Sequence, residues 1–173
     1  IYKYQTSVNF ASDAEREDVD ALMDEIKAMP NTEKAFEYIS MSTDVYANDK
    51  EAVVTLVVAD DEGIHDFVEL RDRVTQKTIT LGDTGIVVSE KLAKELGVSI
   101  GDSIQVDNGN GVKKRIEVTG ITEHYVYHYM YMSPEAYKKV YRIVPETNAA
   151  MVKLKETSAQ IESNFSSELM QND

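Results

Sequence analysis

Three histidines, 31 acidic side chains and no cysteine make up the chain's stock of groups able to do chemistry. His124 and His128 stand four apart beside Glu123, the spacing at which a helix turns two imidazoles toward one metal ion. Tyrosines interleave with them, however, at Tyr125, Tyr127, Tyr129 and Tyr131. That alternation predicts a strand, where the two histidines share a face but lie about 13 Å apart, too far for one ion. Structural, partly buried histidines are therefore expected, and no metal or other cofactor. The four tyrosines fall together on the opposite face. Such a face suits contact with a partner protein, or stacking against a sugar or peptide, while the competing reading is a sheet face covered by the helix that follows.

Asp60-Asp61-Glu62 with Gly63 offers oxygen ligands of the kind calcium takes, and so does Asp107-Asn-Gly-Asn-Gly111. Neither has the register of an EF-hand loop, so both read as solvated turns. Thiol catalysis, disulfides and Cys-based zinc sites are excluded by composition. There is no G-x-S-x-G elbow, no phosphate-binding P-loop and no dinucleotide glycine pattern. A carboxylate pair for glycoside hydrolysis is always available among so many acids, which makes any single choice uninformative. No catalytic residue is assigned.

At 173 residues, 42% of them hydrophobic and 28% charged, the chain has enough material for a packed core. A net charge of −13 argues against nucleic acid as a partner and against adsorption to anionic lipid. The basic run Lys113-Lys114-Arg115 follows an Asn-Gly turn and reads as a solvated hairpin arm. The longest apolar run, Ala52 to Ala59, is too short and too β-branched to span a bilayer and predicts a buried strand. The chain opens at Ile1, without methionine, inside a strand-like pattern. It therefore looks cut from something larger, as a loop between two membrane spans would be.

The elements that must position these groups are well signalled. Residues 2–10 alternate as a strand. Ser12 to Glu15 reads as a capping box, ahead of a helix whose apolar stripe is Val19, Leu22, Met23, Ile26 and Met29. Pro30 ends it. Strands over about 34–47 and 52–59 are joined at Asn48-Asp49-Lys50, and residues 60–76 read as a short helix or an irregular segment. Next come a short strand at 85–89, a two-turn helix capped by Ser89 and closed by Gly97, and a tight Gly101-Asp102 turn. Strands at 103–106 and 112–119 follow. After the tyrosine strand, Ser133 and Pro134 open another helix, with Met132 and Tyr137 placed as a hydrophobic staple. A strand at about 148–155 and a helix from Ser158 complete the reading.

Gly85-Ile-Val-Val-Ser-Glu-Lys-Leu-Ala, Leu96-Gly97 with Gly101-Asp102, Val118-Thr-Gly-Ile121 and His128-Tyr-Met-Tyr-Met-Ser-Pro-Glu-Ala-Tyr137 occur in this order. The succession resembles the extracytoplasmic domain of the FtsX-like, MacB-type permeases of ABC transporters. The resemblance implies an α+β fold, with a porter-like α/β subdomain built from residues 1–75 and 145–173 and a β-rich subdomain inserted at 76–144. It also implies location on the extracytoplasmic face of a cell membrane. The partners it implies are the membrane-embedded remainder of the permease and a cytoplasmic ABC ATPase, with a second permease copy or an extracellular protein as further candidates. The work implied is to couple ATP-driven motion to substrate export, sensing or partner contact. A free secreted ligand-binding module is the alternative, and a hydrolase a more distant one.

Overall fold

The computed structural model describes residues 5–11, 14–65, 69–107, 111–123, 128–143 and 146–154. In chain order the elements are β1 (Gln5–Asn9), α1 (Arg16–Ala28), β2 (Thr32–Ala47), β3 (Lys50–Val58), α2 (Asp61–His65), β4 (Ile86–Ser89), α3 (Glu90–Leu96), β5 (Ser103–Asp107), β6 (Lys113–Thr122), β7 (Tyr129–Met132), α4 (Pro134–Tyr141) and β8 (Ala149–Leu154). The α+β class expected from the sequence holds. Ser12 and the helix expected from Ser158 lie outside the described residues.

By its contacts the chain divides into two compact units. The first takes Ile1–Tyr38, Asp66–Val68 and Thr147–Asp173. Here β8 pairs antiparallel with β1 on one side and with the first half of β2 on the other. Helix α1 lays Val19, Met23, Ile26 and Met29 against Ala150, Val152 and Leu154 of β8, the stripe that the i, i+3, i+4, i+7 spacing requires. The cap differs from expectation: Glu15 occupies the N-cap, and its backbone N–H donates to Asp18 Oδ2 at 3.3 Å. Asp18 thus takes the acidic place of a capping box.

The second unit takes Ile39–His65 and Glu69–Glu146. The sequence had put the outer boundary near residue 75. Contacts cut after Tyr38 instead, because the second half of β2 and all of β3 pair with strands of this unit. Its six strands close on themselves: β2 pairs with β3, β3 with β7, β7 with β4, β4 with β6, β6 with β5, and β5 returns to β2. The β3–β7 and β4–β6 pairs are parallel and the rest antiparallel. Each ring strand thus has a strand neighbour on both sides over at least part of its length.

Alternate residues of every ring strand point inward, as the two-residue period demands. Val45, Leu56, Val88, Val106, Val118 and Met130 are at most 1% exposed and belong to one core, which Leu92 and Leu96 of α3 and Ala136 and Tyr137 of α4 complete. Local chemistry sets the helix ends. Ser89 Oγ accepts from Leu92 N–H at 3.4 Å, and Ser133 Oγ accepts from Ala136 N–H at 3.1 Å. Gly97 ends α3 in the left-handed region at φ 65°, cheap for a residue without Cβ. The β2–β3 turn holds Asn48 and Asp49 at φ 51° and 61°, the paired positive values of a two-residue hairpin whose twist matches its strands.

Candidate functional site

Of the four tyrosines expected to share a face, Tyr125 and Tyr127 lie outside the described residues, as does His124. Tyr131 is 2% exposed. It sits between Val57 of β3 and Val87 of β4 in the strand register, and its ring lies 6.1 Å from that of Tyr129 at an interplanar angle of 17°. Tyr129 keeps partial exposure. On the other face of β7, Met130 and Met132 enter the ring core. Both faces of β7 are thus covered at Tyr131, which offers a partner no surface. The sequence could not show this, because alternation reports which residues share a face and not whether a second layer covers that face.

His128 is equally structural. Its carbonyl accepts from Thr55 N–H at 3.1 Å, extending the β3–β7 pairing by one bond. Its Nε2 lies 3.1 Å from Glu95 Oε2, close enough for charge attraction but with angles that miss hydrogen-bond geometry. No group of three metal-ligating side chains occurs among the described residues. Asp61 accepts from Leu81 N–H at 2.6 Å and lies 2.9 Å from His65 Nε2. Asp107 accepts from Gly111 N–H at 3.2 Å. The acidic turns therefore serve the backbone.

Three carboxylates are held below their ordinary range: Asp72, chiefly by the Thr75 N–H of its own turn, and two that meet arginines. In the first unit, Glu37 accepts from Arg16 Nη2 and from the Thr147 hydroxyl, each at 2.6 Å. The Arg16 hydrogen bond is the largest cause of its lowered pKa. In the second unit, Glu90 opens α3 and accepts from Arg73 Nη1 at 2.6 Å, with Lys94 Nζ at 3.2 Å. The Arg73 hydrogen bond lowers it most, against the desolvation that raises it. Arg71 meets Glu123 at 3.3 Å nearby in sequence. Together these pairs fasten the turn at Asp72–Gln76 to the ring. The turn itself is tied by Asp72 Oδ1, which accepts from the N–H of Val74 and of Thr75 at 2.9 and 2.8 Å. These are latches, with no room between the charges for a reacting group.

A concave, open surface lies elsewhere on the second unit. A cleft of about 670 Å³ is bounded by the β2–β3 turn and the outer faces of β5 and β6. Register builds its floor. Glu51 pairs with Tyr46, Tyr46 with Gln105, and Gln105 with Arg115, so four polar side chains form one row across four strands. Lys113 stands two residues before Arg115, on the same face, with Nζ 4.0 Å from the centroid of the Tyr46 ring. That is cation–π distance. The Tyr46 hydroxyl is pushed upward in pKa, by desolvation first and then by Asp44, Glu51 and Asp107, so it stays protonated. Lys113 and Arg115 had read as a solvated arm. The pairing of β5 with β2 that turns them into a cleft wall joins residues far apart in sequence, and no local signal announces it.

Comparison with known proteins supplies the context for these surfaces. A family described as the MacB-like periplasmic core domain matches residues 1–165. Comparison with curated protein sequences gives no match. Among solved structures, the extracellular domain of the noncanonic ABC-type transporter YknZ from Gram-positive bacteria is similar at TM-score 0.57 and 16% identity, over 96% of this chain and 94% of that one. The periplasmic region of MacB from Actinobacillus actinomycetemcomitans is similar at 0.56 and 12%, over 97% and 82%. At these identities the likeness is one of fold.

Proposed function

Because the chain belongs to the MacB-like periplasmic core domain family and is an extracytoplasmic domain of an ABC transporter permease, we propose that it is a non-catalytic coupling element. It carries motion generated by a cytoplasmic ABC ATPase to the outside of the membrane, where it serves export, sensing or contact with a partner. Its immediate partner is the membrane-embedded remainder of the same permease. A second permease copy or an extracellular protein would meet the same surfaces.

The observation that carries this reading is the pairing of β1 with β8, in which Gln5 lies opposite Lys153. The first and last strands of the described residues are therefore hydrogen-bonded neighbours. Motion reaching either strand is shared by one small sheet. No helix among the described residues is long and apolar enough to cross a membrane. Glu37 and Glu90, both held by arginines, act as structural ties, which favours a mechanical role.

The domain has no cysteine, so single probes can be placed cleanly. A fluorophore at Val74→Cys, a position 89% exposed, and another at Lys27→Cys would be read in the full permease with its ATPase in lipid nanodiscs. Trapping the ATPase with ATP and vanadate is expected to shift emission at one site or both. The shift should vanish in an ATPase that cannot hydrolyse ATP. Identical emission in all states, with transport intact after the domain is excised, would sink the coupling role.

A further inference from the structure

The open cleft on the second unit has features that the coupling role does not use. The Arg115 side chain makes no ion pair or hydrogen bond among the described residues, nor does that of Lys50 at the opposite wall. Both are free cations in a chain of net charge −13. Between them, Gln105 presents an amide, and Lys113 is steadied over Tyr46 without being neutralised. Arg115 and Gln105 thus bring a guanidinium and an amide to one end of the floor, a donor set suited to a carboxylate, while the Lys113 ammonium lies inward, over Tyr46. At the other end of the row Glu51 offers an acceptor with negative charge.

The two ends are set by the strands. Glu51, Tyr46, Gln105 and Arg115 stand on consecutive strands, so three interstrand spacings, roughly 14 Å, separate the first from the last. An extended peptide covers about 3.3–3.6 Å per residue, so about four residues span this row from ammonium to carboxylate. The cleft volume of about 670 Å³ lies within the usual range for small-ligand sites. A polyanion would meet Asp49 and Glu51 and be repelled, whereas a zwitterion can set its carboxylate on Arg115 and its ammonium on Glu51.

We propose that this cleft is a binding site for short free peptides of about three to four residues, lying across the row with the carboxylate on Arg115 and Gln105 and the ammonium on Glu51. The site is independent of membrane coupling and can be read on the 173-residue chain alone. The first probe is tetra-alanine, followed through amide chemical shifts by NMR. Millimolar tetra-alanine is expected to move the signals of Tyr46, Gln105 and Arg115 together. C-terminal amidation should weaken binding about tenfold, the usual effect of losing a charge-assisted hydrogen-bond pair. N-terminal acetylation should weaken it less, because Glu51 is a single exposed acceptor.

Arg115→Ala should match the loss seen on amidation, and Arg115→Lys should recover only part of it, since lysine lacks the planar fork. Arg115 faces solvent, so the fold is expected to survive in both variants; an unchanged spectrum away from the cleft verifies that. No shift at 10–20 mM (an order-of-magnitude ceiling for weak sites) would overturn the proposal. So would free and amidated peptides that bind alike, or Arg115→Ala binding like the parent.

Discussion

Asn48 Nδ2 donates to the Leu96 carbonyl at 2.8 Å and to the Gly97 carbonyl at 3.0 Å, so the tip of the β2–β3 hairpin caps the C-terminal end of α3. Helix C-termini leave carbonyls without intrahelical partners, and here a residue far away in sequence supplies the donors. Because Asn48 also sits at φ 51°, two roles can be separated by substitution. Asn48→Gly keeps the turn and loses the cap, and should cost about 1 kcal/mol. Asn48→Ala loses both and should cost about 2 kcal/mol. Urea unfolding would rank them: a parent-like Asn48→Gly would mean that the cap contributes nothing, and equal losses would mean that the positive φ costs nothing.

Acid should weaken the second unit through Glu90. Its folded pKa is depressed, chiefly by Arg73, so near and below the ordinary value of 4.5 the unfolded chain binds more protons. Stability from this pair is therefore complete above about pH 4.5 and is lost as pH falls through the depressed folded value. Glu37 acts in the same direction through Arg16. Arg73 is 55% exposed on its side chain, which limits the pair to about 1 kcal/mol or less at neutral pH. Arg73→Ala should flatten the acid limb of a stability-against-pH curve. A parallel curve, merely shifted, would show that Glu90 is not the titrating partner.

Gly85 cannot carry a side chain. Its φ is +79°, and an added Cβ would fall 2.2 Å from Thr119 Cγ2 and 3.0 Å from the Glu117 carbonyl oxygen. Gly85→Ala should cost about 2–4 kcal/mol, joining backbone strain to overpacking. Adding Thr119→Ser removes the nearest methyl and should return part of that loss, though not the share due to φ. Denaturant melts of the single and double variants would separate the two, and a fully restored double variant would assign the whole cost to the methyl.

Tyr131 and Tyr129 should part company under substitution. Tyr131 is 2% exposed, so Tyr131→Ala should cost about 3–5 kcal/mol, as large aromatic truncations in a core do. Tyr129→Ala, at a half-buried position, should cost about 1 kcal/mol. Thermal unfolding of both variants would show this. Similar small losses would return Tyr131 to the surface reading suggested by its alternation.

The residues of this chain determine by themselves what depends on neighbours a few positions away. The α1 stripe, the Ser89 and Ser133 caps, the left-handed Gly97 and the Asn48-Asp49 turn were all legible, since a cap or turn is satisfied within three or four residues. The succession of phrases from Gly85 to Tyr137 carried the family resemblance as well. The extent of the inserted unit was harder to see. Nothing around Tyr38 marks the point where β2 passes from pairing with β8 to pairing with β3. Ring closure through Val45 and Val106, the burial of Tyr131 and the row from Glu51 to Arg115 were decided only by the tertiary structure. Strand pairing across long separations is set by how a whole layer packs and closes, so local patterns can place a side chain on a face without saying what that face meets.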